Sequence, residues 1–247
     1  MKKRLLAITL LISFVLCASA CGNSGNVENG STDQQTVQKT DESNQADYTE
    51  VAAAISATTW LYNGGSETTL NYIKFEDDKA NMGQATIDGN GIHHNEPSAC
   101  DYTIDDSNIT VKQSDGAELV IPYVYSEGAC TLGEGDYFSL EQVDEALQGY
   151  WGYDYESYGR QEGYLLVDNG NLTSERASEA ADGEPGDYYY YGPDEGTYTL
   201  GVGYFDTDMF KGSNWFFNII DGTPKVLYFD HVCEPADGFP GEDGYEF

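Results

Sequence analysis

His93, His94 and His231, with the thiols Cys100 and Cys233, are the side chains best suited to hold a soft metal. His93-His94-Asn95-Glu96, with Cys100 close behind, could bring imidazole, carboxylate and thiolate to one place. A zinc or copper site needs three or four such groups to converge. Adjacent residues on a strand face opposite ways, so His93 and His94 could both ligate only from a loop. Asp88-Gly89-Asn90-Gly91 before them reads as a loop. The spacing is that of no known finger or zincin. No metal site is therefore expected. His93, His94 and Glu96 come nearest to one, and solvent-exposed loop histidines are the expected case.

Carboxylates are the other abundant chemistry. The chain has 43 Asp and Glu against 11 Lys and Arg, a formal charge of −32. Nucleic-acid binding runs on basic side chains that neutralise phosphates, so that class is excluded. Cations, basic proteins and neutral molecules are the favoured partners, and a solvated acidic surface is the plain alternative. Asp77-Asp78, Asp105-Asp106 and Asp206-Thr207-Asp208 offer the hard oxygens calcium takes. None completes an EF-hand loop; Asp88-x-Asn90 begins one and fails at Ile92 and His93. Turns favour Asp for their own reasons. Calcium thus stays open as a partner, and no cofactor is expected. Catalytic signatures are missing: there is no G-x-S-x-G, H-E-x-x-H or Walker loop. Gly201-Val202-Gly203 and Gly133-Glu134-Gly135 lack a third glycine and a following helix. Paired glycosidase carboxylates cannot be singled out among so many acids. No catalytic residue is assigned.

These residues must be carried by elements, and the elements repeat at a period of 91–92 residues. One copy opens with Asp47-Tyr48-Thr49-Glu50, continues with Val51 and Ile55, and reaches Trp60. The other opens with Ser139-Leu140-Glu141-Gln142, continues with Val143 and Leu147, and reaches Trp151. Both openings fit a capping box and both apolar pairs are spaced i, i+4. Two short amphipathic helices are expected, each running into a strand. Tyr72-Ile73-Lys74-Phe75 turns at Glu76-Asp77-Asp78, and Tyr164-Leu165-Leu166-Val167 turns at Asp168-Asn169-Gly170. Asn-Gly suits a tight hairpin. Tyr102-Thr103-Ile104 answers Tyr198-Thr199-Leu200, and the run from Leu119 to Tyr125 answers that from Trp215 to Ile220. The second copy carries an insertion at 174–196, in which Tyr188-Tyr189-Tyr190-Tyr191 reads either as a strand or as an exposed aromatic platform. Gly192-Pro193-Asp194-Glu195-Gly196 reads as a turn, and 234–247 as a loose acidic tail.

The N-terminus supplies an address. Met1-Lys2-Lys3-Arg4, an uncharged run from Leu5 to Cys17 and Ala18-Ser19-Ala20 make a signal peptide over 1–20. Cys21-Gly22-Asn23 follows, and the whole resembles the bacterial lipoprotein signal, although Ala18 stands where a larger aliphatic residue is commoner. The resemblance implies a diacylated Cys21 at the mature N-terminus; cleavage after Ala20 with a plain thiol is the alternative. Two acyl chains are what stable anchoring takes. Residues 21–46 are polar with almost nothing apolar, a flexible tether reaching roughly 25–30 Å. The protein is expected on the extracytoplasmic face of the cell membrane, where disulfides are permitted. Of Cys100, Cys130 and Cys233, the first two are the natural pair, and three free thiols are the equal alternative.

A short helix, a strand carrying Gly149-Tyr150-Trp151 and a run of hairpins resembles the lipocalin-like (calycin) small barrels. The first copy has Thr58-Thr59-Trp60 and lacks the glycine. The resemblance implies that each Trp seals one barrel end and that an interior could hold a small apolar ligand. The expected fold is all-β: two tandem antiparallel up-and-down barrel-like modules, 47–138 and 139–233, each preceded by a short helix. A single β-sandwich of about 190 residues is the alternative. The expected function is a non-enzymatic binding or surface-interaction module with an unnamed protein, glycan or small-molecule partner. A carrier of a small apolar ligand and a hydrolase with an unrecognised carboxylate pair are the alternatives.

Overall fold

The computed structural model describes residues 48–156, 160–180, 187–209, 214–241 and 245. The expected signal peptide over 1–20, the expected lipid attachment at Cys21 and the expected tether over 21–46 lie outside the described residues. The fold is all-β and antiparallel, with one nearly closed barrel-like sheet.

Helix α1 (Thr49–Ser56) buries Val51 and Ile55, its i, i+4 pair. Its expected cap, Asp47, lies outside the described residues; Tyr48 precedes the helix without a capping bond and donates instead to Asp106 Oδ1 at 2.7 Å. The chain then runs through β1 (Thr59–Ser66), β2 (Thr69–Glu76), β3 (Lys79–Asp88), β4 (Gly91–His94), β5 (Ser98–Ile104), β6 (Asn108–Lys112), β7 (Glu118–Ser126), β8 (Ala129–Leu132) and β9 (Phe138–Ser139). These pair in the order β8-β7-β6-β5-β3-β2-β1-β9, with β4 beside β3. A bridge between Leu132 and Tyr137 brings the two ends of the sheet together.

Helix α2 (Leu140–Leu147) has the expected capping box: Gln142 N donates to Ser139 Oγ at 3.1 Å, and Ser139 N to Gln142 Oε1 at 2.8 Å. It buries Val143 and Leu147. After it come β10 (Gly149–Glu156), β11 (Arg160–Asp168), β12 (Asn171–Glu179), β13 (Tyr188–Leu200), β14 (Phe205–Thr207), β15 (Trp215–Ile220), β16 (Thr223–Tyr228), β17 (His231–Val232) and β18 (Glu234–Ala236). One sheet is ordered β14-β13-β12-β11-β10-β18, and another β15-β16-β17. The bridge Tyr204–Phe216 and the bond from Phe217 N to Gly203 O, 3.0 Å, tie the two. Joined there, the strand order runs in parallel with that of the first sheet, with β18 beside β10 as β9 is beside β1. The Asn169-Gly170 turn holds both residues at positive φ, as a tight hairpin of this kind requires.

Alternation along β1–β3 divides them between two cores. Trp60, Ile73, Phe75 and Ala80 point into the first barrel with Ile109, Val111, Ile121 and Leu132. Leu61, Leu70 and Ala85 point the other way and join Leu147, Trp151, Leu165 and Phe217 in a second core. The two halves therefore share a wall. Asn218, fully buried, clamps it: its Nδ2 lies 2.8–3.3 Å from the carbonyl oxygens of Ser66, Glu67 and Thr69.

Two expectations about the second half are corrected. Gly192-Pro193-Asp194-Glu195-Gly196 is not a turn but part of β13, where the β12–β13 register slips between Ser174 and Arg176. Gly and Pro accommodate that bulge rather than a chain reversal. Nor is the C-terminal segment wholly loose. Strand β18 pairs with β10, and Tyr245 is buried. The cause is Glu175, only 3% exposed. A buried carboxylate requires donors, and Gly241 N (3.0 Å), Tyr245 OH (3.2 Å) and Tyr190 OH (2.8 Å) provide them.

Candidate functional site at the mouth of the first barrel

Register and alternation build the inside of the first barrel as rows. Trp60, Ile73 and Met82 are successive partners across β1, β2 and β3, and Phe75, Ala80 and Cys100 across β2, β3 and β5. The rows nearest α1 are apolar, and α1 closes that end with Val51 and Ile55. Trp60 Nε1 donates to Ile55 O at 2.9 Å, so the indole has its partner inside the seal. The row at the far end is Tyr62, Asn71 and Gln84, paired in turn. There the inward side chains change from hydrocarbon to amide and phenol.

The change coincides with an opening. Strand β3 pairs with β5 through Lys79–Met82 but with β4 through Ala85–Asp88, so the wall forks at Gly83 and Gln84. A pocket of about 310 Å³ opens there, lined by Tyr62, Asn71, Met82, Gln84, Ser98 and Gln113 among others. Gln84 Nε2 donates to Asn71 Oδ1 at 3.1 Å, and Asn71 Nδ2 to Asn63 O at 3.2 Å, which fixes both amides. Asn95 stands at the rim, its N donating to Gln84 O at 2.9 Å. Gly83 has no room for a side chain because the Tyr72 ring lies where a Cβ would be. Burial pushes the Tyr62 hydroxyl pKa up, and burial with the neighbouring Tyr62 pushes Tyr137 up to about 12. Tyr62 therefore stays a neutral donor at ordinary pH. None of the lining residues carries a charge, in a chain with 43 acidic residues.

A larger hollow, about 460 Å³, lies by α1 and the start of α2. Of its polar side chains, Ser139 and Gln142 are spent on each other in the helix cap, Thr58 Oγ1 accepts Leu140 N at 3.3 Å, and Glu141 is exposed.

The sequence-selected residues are scattered. His93 and His94 lie on strand β4, not in a loop, so they face opposite sides. His93 Nε2 is 3.4 Å from Asp88 Oδ1, while His94 packs edge-on against Tyr72 and Tyr204 and has its pKa lowered by burial. Glu96 is exposed. Among the described residues no group of three His, Cys, Asp or Glu could hold a metal. Asp105 Oδ1 accepts Ser107 N and Asn108 N at 2.9 and 2.8 Å, and Asp208 Oδ1 accepts Thr197 N at 2.9 Å. Asp105 caps its own turn, and Asp208 holds the end of β14 against β13.

The Cys100–Cys130 disulfide is not formed. Both are buried free thiols, as is Cys233. Strands β6 and β7 lie between their strands, so they stand three strand spacings apart, roughly 14 Å along the sheet, where a bridge needs Cα atoms within about 7 Å. Burial raises the Cys130 pKa to about 11.

The Tyr62-Asn71-Gln84 row escaped the sequence reading. Its trace was the alternation Trp60/Tyr62, Asn71/Ile73/Phe75 and Met82/Gln84, which names inward positions without saying which strands adjoin. The equivalent row of the second half is Tyr153, Gly163 and Arg176. There Tyr153 stacks on Tyr228 with centroids 3.9 Å apart and fills the interior. No family model matches the chain, and neither does any curated protein or solved structure.

Proposed function

We propose that this is a lipid-anchored extracytoplasmic binding protein of two tandem barrel-like modules, the first of which holds a small neutral hydrogen-bonding ligand such as a sugar of one or two rings. The observation that carries the reading is the charge-free, amide-lined mouth at Tyr62, Asn71 and Gln84 in a strongly acidic chain. Amides offer donors and acceptors together, which suits hydroxyl groups. A charged ligand would find no counter-charge in the lining, and a wholly apolar one would strip water from amides without replacing their bonds. The volume is at the low end for ligand pockets, about 300–1,000 Å³. Nothing in the reading requires turnover.

The test is titration of the full chain with a panel of neutral mono- and disaccharides, beside an apolar fluorescent probe. At least one sugar should saturate, and Gln84→Leu should weaken it at least tenfold while leaving the melting temperature close to wild type. Silence across the sugars, or capture of the apolar probe instead, would refute the reading. The anchor has its own test: Cys21→Ala should shift the protein from the membrane fraction to the medium, and retention would count against lipidation.

A further inference from the structure

The pocket at the mouth of the first barrel changes chemistry with depth. One row inside Asn71 and Gln84 stands Met82, between Ile73 on β2 and Ser98 on β5. Two residues on along β5 stands Cys100, only 5% exposed. Met82 and Cys100 both line the pocket, and both pack into the apolar core of the barrel. Cys100 Sγ already has Ser98 O as its acceptor, at 3.8 Å. A thioether and an engaged thiol are weak hydrogen-bonding groups and good apolar contacts. The inner wall therefore suits a methyl group better than a hydroxyl.

Hydrogen-bonding capacity remains at the mouth. Gln84 uses its Nε2 on Asn71, which leaves its Oε1 as an acceptor with no donor among the described residues. The Tyr62 hydroxyl and the Gln113 side-chain amide, both in the lining, also make no hydrogen bond there. An acceptor and two donors around one opening match an amide, which presents an N–H and a C=O together. A plain hydroxylated ring would use the mouth but set a hydroxyl against sulfur, losing water without a replacement bond. An acetamido substituent fits both levels, with its amide at the mouth and its methyl inside.

We propose that the ligand of the first module is an N-acetylated amino sugar, its amide held at Gln84 and Tyr62 and its methyl against Met82 and Cys100. This rests on the neutral-sugar reading above and names the class within it. The full chain is titrated by calorimetry with N-acetylglucosamine, N-formylglucosamine and glucose. The acetyl sugar should bind about tenfold or more tighter than glucose, and several-fold tighter than the formyl sugar, which lacks only the methyl. Met82→Gln should erase the acetyl-over-formyl preference, and Met82→Leu, which keeps an apolar wall, should retain it. Glucose binding as tight as N-acetylglucosamine overturns the proposal and leaves the neutral-sugar reading standing. Equal affinity for the acetyl and formyl sugars, or a preference that survives Met82→Gln, also overturns it. Silence from all three sugars, with another neutral sugar bound, overturns this inference alone; silence from every neutral sugar removes the reading beneath it as well.

Discussion

Two tryptophans make the same bond in the two halves. Trp60 Nε1 donates to Ile55 O at 2.9 Å, and Trp151 Nε1 to Leu147 O at 2.7 Å. In each case the acceptor is the second buried residue of the preceding helix. The indole thus fills the barrel end and satisfies one of the helix's terminal carbonyls. Phenylalanine keeps most of the apolar area but strands that carbonyl in a dry site. Trp60→Phe and Trp151→Phe should each cost about 1–3 kcal/mol, read as a lower urea midpoint at unchanged slope. A cost near zero would mean water reaches the carbonyl. Sequence reading found both tryptophans and their helices, because cap, apolar pair and aromatic are local signals. It could not find the acceptor, which depends on how the helix folds back over its strand.

Strand β13 shows how an element can be misread from composition. Gly192-Pro193 marks a turn in most chains, yet here it sits inside a thirteen-residue strand. Gly192 has φ 120°, and a Cβ there would come within 2.8 Å of Ser174 O and 3.0 Å of Glu175 Cα. Both the backbone angle and the close approach call for glycine. Gly192→Ala should destabilise the chain by about 1–3 kcal/mol, and should loosen Tyr190 from Glu175, visible as faster amide exchange along β12. Unchanged exchange would show that the bulge tolerates a side chain. The tyrosine run at 188–191 takes the strand alternative. It is a strand, with Tyr188 and Tyr190 packed toward Tyr245 and Tyr189 and Tyr191 turned to solvent.

For the whole molecule, tyrosine chemistry sets a pH limit. Burial and Asp144 push the Tyr198 pKa up to about 12, and burial with Tyr62 does the same for Tyr137. Burial raises Tyr153 and Tyr245 further. In the unfolded chain these phenols ionise near 10.0. Above that pH the unfolded state has shed protons the folded state still holds, so stability falls as pH rises. It is fully present below pH 10 and is lost progressively toward pH 12. The melting temperature should therefore drop steadily above pH 10, and tyrosinate absorbance should rise together with unfolding. Ionisation of all tyrosines near pH 10 without unfolding would contradict the burial.

Much was decided locally. Charge balance, the cap of α2, the tight turns and strand alternation depend on neighbours a few residues apart, so they were legible in the chain. The all-β class followed from them. Tertiary structure alone decided which strands adjoin and which inward residues meet. It set Tyr62, Asn71 and Gln84 in one row, separated Cys100 from Cys130, buried Leu61 and Leu70 against the second half, and drew Tyr245 onto Glu175. Each of these is a contact across many residues, and alternation names a face without naming the strand across from it.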